Sequence, residues 1–226
     1  MPATRIFASI RSVDPTELGT ASERLLTAGV DGLHVDLADG VFVPELTFGV
    51  AVARALLERT RALLDVHLMV VRPEEYLPLL AQAGIRRVSF HFESAAYPWR
   101  VCSLARSLGM EVGLALNPAT PLAVLETIGA TPDFVNLLTT EPDFAGEQLL
   151  PGSIERAAAA RRLLPEHVLL EVDGGIDAES GRGFVDGGVN DFVIGRAITG
   201  VNDWNRAVEQ LRHAIGTRTS GVNVFT

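Results

Sequence analysis

The sequence predicts a single (β/α)8 TIM barrel. β-Favouring apolar runs alternate eight times with helix-period segments, and polar groups able to do chemistry recur at the same end of those runs. The first strand-to-helix turn, ASIRSVDP, also lacks the glycine fingerprint of a doubly wound dinucleotide-binding sheet, the alternative architecture. A length of 226 residues suits one such domain over 1–226, with 217–226 read as a flexible tail.

The units follow in order. Arg5 to Ile10 is a first strand, and the helix after it opens near Pro15, where a missing N–H costs nothing in a first helical turn. Gly32 to Asp36 and Leu63 to Met69 lead into helices near Phe48 and Pro73. Arg87 to His91 is followed by a helix near Tyr97, and Glu111 to Leu116 by one near Pro121. Asp133 to Thr139 precedes a helix near Leu150. Val168 to Asp173 precedes one at Asp177, and Asp191 to Gly195 one near Asn202, both residue types that cap a helix start. Strands of a parallel barrel are covered on both faces, so they are read here as apolar runs.

Composition excludes several classes. Acids outnumber bases 28 to 19, for a formal charge of −9, and no basic stripe offers a footprint for nucleic acid. No apolar stretch approaches the roughly 18 residues of a membrane span. The start, MPATRIFASI, reads as a first strand and not as a signal peptide, and the lone Cys102 fits a reducing compartment such as the cytoplasm.

Two constellations carry chemistry. His34 and Asp36 in GLHVDLADG, His67 in LLDVHLMV and Asp173 in LLEVDGGI lie near the ends of three strands, at the barrel face where residues distant in sequence converge. His34 and Asp36 are two apart on one strand, so both side chains point the same way. Mixed imidazole and carboxylate donors suit one divalent ion, Zn, Fe, Mn or Co, without selecting among them. In the second constellation, EVDGGI and DFVIGRAITG place glycines after strands seven and eight, where such barrels commonly hold phosphate, and Arg196 adds a guanidinium. Ser9 also stands at a strand end. His91 either touches substrate or holds a neighbour by a hydrogen bond, and Asp39 is expected to support the ligand histidines.

The strings HVDLADGVFVPELTFG, LDVHLMVVRPEEY, LALNPATP and EVDGGI, in this order, resemble the ribulose-phosphate 3-epimerase family, and the likeness runs from about Ile6 to Ala197. The resemblance implies that Ser9 contacts substrate and that His34, Asp36, His67 and Asp173 ligate a metal. It further implies that Asp36 and Asp173 are the acid/base pair, and that His67, Gly146, Gly174, Gly175 and Gly195 belong to the substrate site. The implied activity is 3-epimerisation of a ketose phosphate through a 2,3-enediolate, with ribulose 5-phosphate as the leading substrate and hexulose or tetrulose phosphates as alternatives. The expected partners are that phosphorylated ketose and further copies of the same chain. A decarboxylase of the same barrel group and a non-catalytic sugar-phosphate binder are the other readings; HVDLADG and LDVHLMV contain no lysine, which disfavours the former.

Four departures from the family pattern stand out. Ala38 and Leu138 replace methionines, leaving Met69 alone of those expected around the metal. The loop over residues 142–147 has lost two glycines and gained Asp143 and Glu147, and Arg196 stands where the family has serine.

Overall fold

Alternation, and not uninterrupted apolarity, is what builds the strands of this barrel. A computed structural model describes residues 3–129, 131–142 and 148–216. Its eight strands are β1 (Arg5–Ser9), β2 (Gly32–Ala38), β3 (Leu64–Met69), β4 (Arg87–His91), β5 (Glu111–Leu116), β6 (Phe134–Leu138), β7 (Leu169–Asp173) and β8 (Asp191–Ile194). All pair in parallel in sequence order, and β8 closes on β1 through Arg5↔Asp191 and Phe7↔Val193. One set of alternate residues, such as Val66 and Leu68, Val88 and Phe90, Val112 and Leu114, Leu170 and Val172, joins the main hydrophobic core. That core takes residues from the helices as well, including Leu25, Leu56, Leu77, Ala105 and Phe184. The intervening residues are of opposite character: Asp65 and His67, Arg87, Ser89 and His91, Glu171 and Asp173. A strand has period two, so these side chains point to its other face, the inside of the barrel.

The helices are α1 (Leu18–Thr27), α2 (Val50–Thr60), α3 (Pro73–Gln82), α4 (Pro98–Ser107), α5 (Val124–Ile128), α6 (Ser153–Leu163), α7 (Ala178–Asp186), α8 (Arg196–Thr199) and α9 (Trp204–Ala214). Four of these starts obey capping chemistry: prolines occupy the first position of α3 and α4, Asp177 and Ser180 form a capping box on α7, and Asp203 accepts from the Arg206 N–H at α9. Three starts lie later than expected. Pro15 opens a short 3-10 turn ahead of α1, Pro121 precedes turns before the five-residue α5, and α6 begins at Ser153. The short α8 after β8 was not anticipated, because four residues leave no periodicity to read. No described helix is long and apolar enough to cross a membrane.

Candidate active site

Every strand delivers its last inward residues to one mouth, and there β2, β3 and β7 bring the four expected ligands together. One ligand atom from each of His34, Asp36, His67 and Asp173 falls within a common 4.8 Å. Both histidines are completely buried; Asp36 and Asp173 are slightly exposed and line the cavity above them. His34 Nε2 lies 3.2 Å from Asp36 Oδ1 and 3.5 Å from Asp173 Oδ2, and His67 Nδ1 lies 3.4 and 3.6 Å from the same two oxygens. His67 Nδ1 has no hydrogen-bond partner despite its burial. A buried orphan nitrogen is costly, whereas four ligands about 2.1 Å from one tetrahedral ion stand about 3.4 Å from each other. The observed spacings match a donor set arranged around a shared cation.

The electrostatics agree. Burial opposes charge on His34, yet the fields of Asp36 and Asp173, with hydrogen bonds to Asp36 and Asp65, hold its pKa well above 6.5. His67 is likewise penalised by burial, but Asp173 and Asp36 outweigh this and the repulsion from His34, lifting it to about 9. Burial would raise Asp36; the two histidines overcome it and hold the carboxyl far below its ordinary range. The negative field that draws protons onto two buried imidazoles is the field that would retain a dication.

His67 is supported from behind by a second imidazole. Its Nε2 lies 3.0 Å from His91 Nε2, the two rings are stacked with centroids 4.9 Å apart, and the Phe42 ring, tilted to that of His91, lies 4.6 Å from it. His91 Nδ1 donates to Glu93 Oε2 at 3.2 Å. Burial, with repulsion from His67, outweighs Glu93 and lowers His91 to about 4, so His91 is neutral, with its proton on Nδ1, and accepts from His67 Nε2–H. His91 therefore holds a neighbour, the second of the two roles considered for it. Glu93 also accepts from the Asn117 N–H at 2.8 Å and from Thr120, tying the loop after β5 to this chain. Asp39 does not support the histidines. Its carboxylate accepts from the backbone N–H groups of Val41, Phe42 and Val71, each at 2.8 Å, and so shapes the loop after β2.

The mouth opens into a cavity of about 770 Å³. Ser9, Gly174, Gly175, Gly195 and Arg196 line it, together with Asp36 and Asp173. His67, also expected in the substrate site, is fully buried and does not line the cavity. Gly146, Asp143 and Glu147 lie outside the described residues. The glycines after β7 are demanded by backbone as well as by any ligand: Gly174 and Gly175 have φ of 115° and 68°. A Cβ on Gly175 would also stand 2.5 Å from Leu149 N. Several wall residues were not singled out from the sequence, among them Arg11, Ser12, Glu45, Thr140 and Asp177. Ser12 accepts from Thr199 Oγ1 at 2.9 Å and joins the loops after β1 and β8. Arg11 reaches Glu45 at 2.5 Å and joins those after β1 and β2. Proximity of loops carried by adjacent strands is the only signal for these, and it appears only once the barrel closes.

A closed parallel barrel with acids and imidazoles gathered at its C-terminal mouth defines a TIM-barrel enzyme. The Ribulose-phosphate 3 epimerase family model matches residues 5–199. The chain is 33% identical over 212 residues to the ribulose-phosphate 3-epimerase of Bacillus subtilis, covering 92% of this chain and 98% of that protein. It is 35% identical over 214 residues to the one from Synechocystis, covering 92% and 93%. Among solved structures, the orotidine 5'-phosphate decarboxylase of Pyrococcus horikoshii superposes with a TM-score of 0.70 at 15% identity, covering 94% of this chain and 100% of that one, a likeness of fold. The chain belongs to the ribulose-phosphate 3-epimerase family and is a sugar-phosphate epimerase, an isomerase.

Proposed function

We propose that this enzyme interconverts D-ribulose 5-phosphate and D-xylulose 5-phosphate by proton transfer at C3, with one divalent ion held by His34, Asp36, His67 and Asp173. The observation that carries the reading is the quartet of ligand-to-ligand spacings between 3.2 and 3.6 Å around a fully buried imidazole nitrogen with no hydrogen bond. When bound, a dication supplies Lewis-acid stabilisation of the negative charge that develops on the oxygens next to C3.

The residues of the chain do the rest. Asp36 and Asp173 reach the cavity from β2 and β7, two strands separated by β1 and β8 in the closed barrel. Asp36 is ionised at neutral pH, as a proton acceptor must be. One carboxylate takes the C3 proton, leaving a 2,3-enediolate, and the other returns a proton to the opposite face. Inversion requires both, since one group cannot stand on two sides of a planar intermediate. The phosphate is assigned to Gly174, Gly175, Gly195 and Arg196 at the ends of β7 and β8. All 19 cationic residues of the chain are arginines, so neither a Schiff base nor a catalytic lysine is open to it.

Chelation tests the reading. Activity on ribulose 5-phosphate is expected to disappear with the metal and to return on adding one equivalent of Zn²⁺, Mn²⁺, Co²⁺ or Fe²⁺. Full activity in protein shown by elemental analysis to hold no metal contradicts it.

Metal binding is also expected to depend on pH. His34 and His67 keep their protons to well above 6.5 and to about 9, so a dication must displace protons throughout the neutral range. Affinity should therefore rise with pH up to about 9, by about tenfold per unit for each proton displaced, and fall as pH drops. Calorimetry in buffers of differing ionisation heat should show proton release at pH 7; binding without release, and with no pH slope, contradicts the assignment.

Arg196 carries a third expectation. Arg196→Ser removes a charge-assisted contact worth about 1.5–3 kcal/mol, which raises KM roughly tenfold to a hundredfold. The contact is remote from C3 and holds ground and transition states alike, so kcat changes less. Steady-state kinetics with an unchanged KM would remove Arg196 from the phosphate site.

A further inference from the structure

Below the mouth, the barrel is crossed by charge. The Arg87 side chain is fully buried and meets carboxylates from four other strands. Its Nε donates to Asp65 Oδ1 at 3.0 Å, its Nη2 to Glu171 Oε2 and Asp191 Oδ2 at 2.8 Å each, and its Nη1 to Glu111. Asp191 is held in turn by Arg5 through two bonds of 2.9 and 2.6 Å. The Phe134 ring lies against the guanidinium at 3.5 Å, and Gly113 leaves that ring its place, since a Cβ there would come within 2.3 Å of it.

This assembly is joined to the candidate metal centre through one side chain. Asp65 gives Oδ1 to Arg87 and Oδ2 to His34 Nδ1, the latter at 2.7 Å. A carboxylate at that distance places a proton on His34 Nδ1, so Nε2, which faces Asp36 and Asp173, is the atom left to bind a metal. The other ligand histidine leans on a second imidazole, His91, so the two ligand rings are backed by different side chains, one by a carboxylate and one by an imidazole. Burying so many charges costs desolvation that an apolar floor would avoid, which argues that the floor does more than hold the barrel shut.

We propose that Asp65 and Arg87 are positioning residues: Arg87 fixes the Asp65 carboxylate, which in turn fixes the orientation and tautomer of His34, so that the floor of the barrel sets the metal affinity of its mouth. The proposal rests on the metal reading above. A carboxylate behind a ligand imidazole strengthens it as a donor, and losing such a partner typically weakens metal binding by about 10–100-fold. Asp65→Asn keeps the size of the side chain and removes its charge. Arg87→Lys keeps a charge and loses the fork that holds Asp65. Leu114→Ala, on the outward face of β5, opens a cavity in the main core and serves as the control for general loosening.

The test is titration of the parent protein and the three variants with Co²⁺, following equilibrium dialysis and the visible ligand-field bands, with kinetics at saturating Co²⁺. Asp65→Asn is expected to bind Co²⁺ about 10–100-fold more weakly, with shifted bands and with KM for ribulose 5-phosphate close to that of the parent once Co²⁺ saturates. Arg87→Lys should move the same way, and it decides the matter by the same criteria if Asp65→Asn does not fold. Leu114→Ala should lower the unfolding temperature and leave Co²⁺ affinity and spectrum unchanged. The proposal is overturned if the parent binds one Co²⁺ and the folded strut variants match it, or if Leu114→Ala weakens binding as much as they do. A parent that binds no Co²⁺ instead overturns the metal reading, and this inference with it.

Discussion

Asp36→Asn and Asp173→Asn, each measured at saturating metal, are expected to abolish net epimerisation, lowering turnover by at least the roughly 10²–10⁴-fold that one proton-transfer group supplies. The two losses should differ in kind. A variant that keeps one carboxylate can still take and return the C3 proton of the epimer that presents it to that side, so one-sided solvent exchange should survive in each variant, with opposite epimers as substrate. The two residues come from different strands and are the acids that reach the cavity from the ligand cluster. Proton NMR of each epimer in deuterated buffer reads this directly. Equal residual epimerisation in both variants would point to a single base or to water.

His67→Ala is the second large expected effect. Its Nδ1 faces the carboxylates of Asp36 and Asp173 and nothing else bonds to it, so under the proposed function the truncation removes a ligand and not a brace. Metal affinity should fall by more than the roughly 100-fold upper range seen for supporting residues, and activity should fall in parallel. Elemental analysis and kinetics check the two losses together. Unchanged stoichiometry in this variant and in His34→Ala would place the ion elsewhere.

The eight units and the convergence of His34, Asp36, His67 and Asp173 were legible in the sequence because both follow from strand ends, which turn signals mark well. The charged floor was not. Reading the strands as apolar runs passed over Asp65, Arg87, Glu111, Glu171 and Asp191, although the signal was present. Asp65 stands two residues before His67 and Glu171 two before Asp173, so each shares an inward face with a ligand. Asp39 misled for the opposite reason. It is near the ligands in sequence, but it follows the end of β2, where backbone N–H groups of a tight loop compete for its carboxylate and win. The His67–His91–Glu93 chain needed the closed barrel, since register between neighbouring strands sets which rings stack. Residues 143–147, where this chain departs most from the family's glycine-rich loop, lie outside the described residues.

Proton transfer at C3 of a ketose phosphate is read by deuterium incorporation. The metal-replete enzyme is incubated in deuterated water with ribulose 5-phosphate and with hexulose and tetrulose phosphates of the same configuration, and each product is analysed by NMR and mass spectrometry. One deuterium at C3, with inversion, is expected, together with the highest kcat/KM for ribulose 5-phosphate. Inversion without deuterium at C3, or loss of carbon from the sugar, would contradict the proposed function.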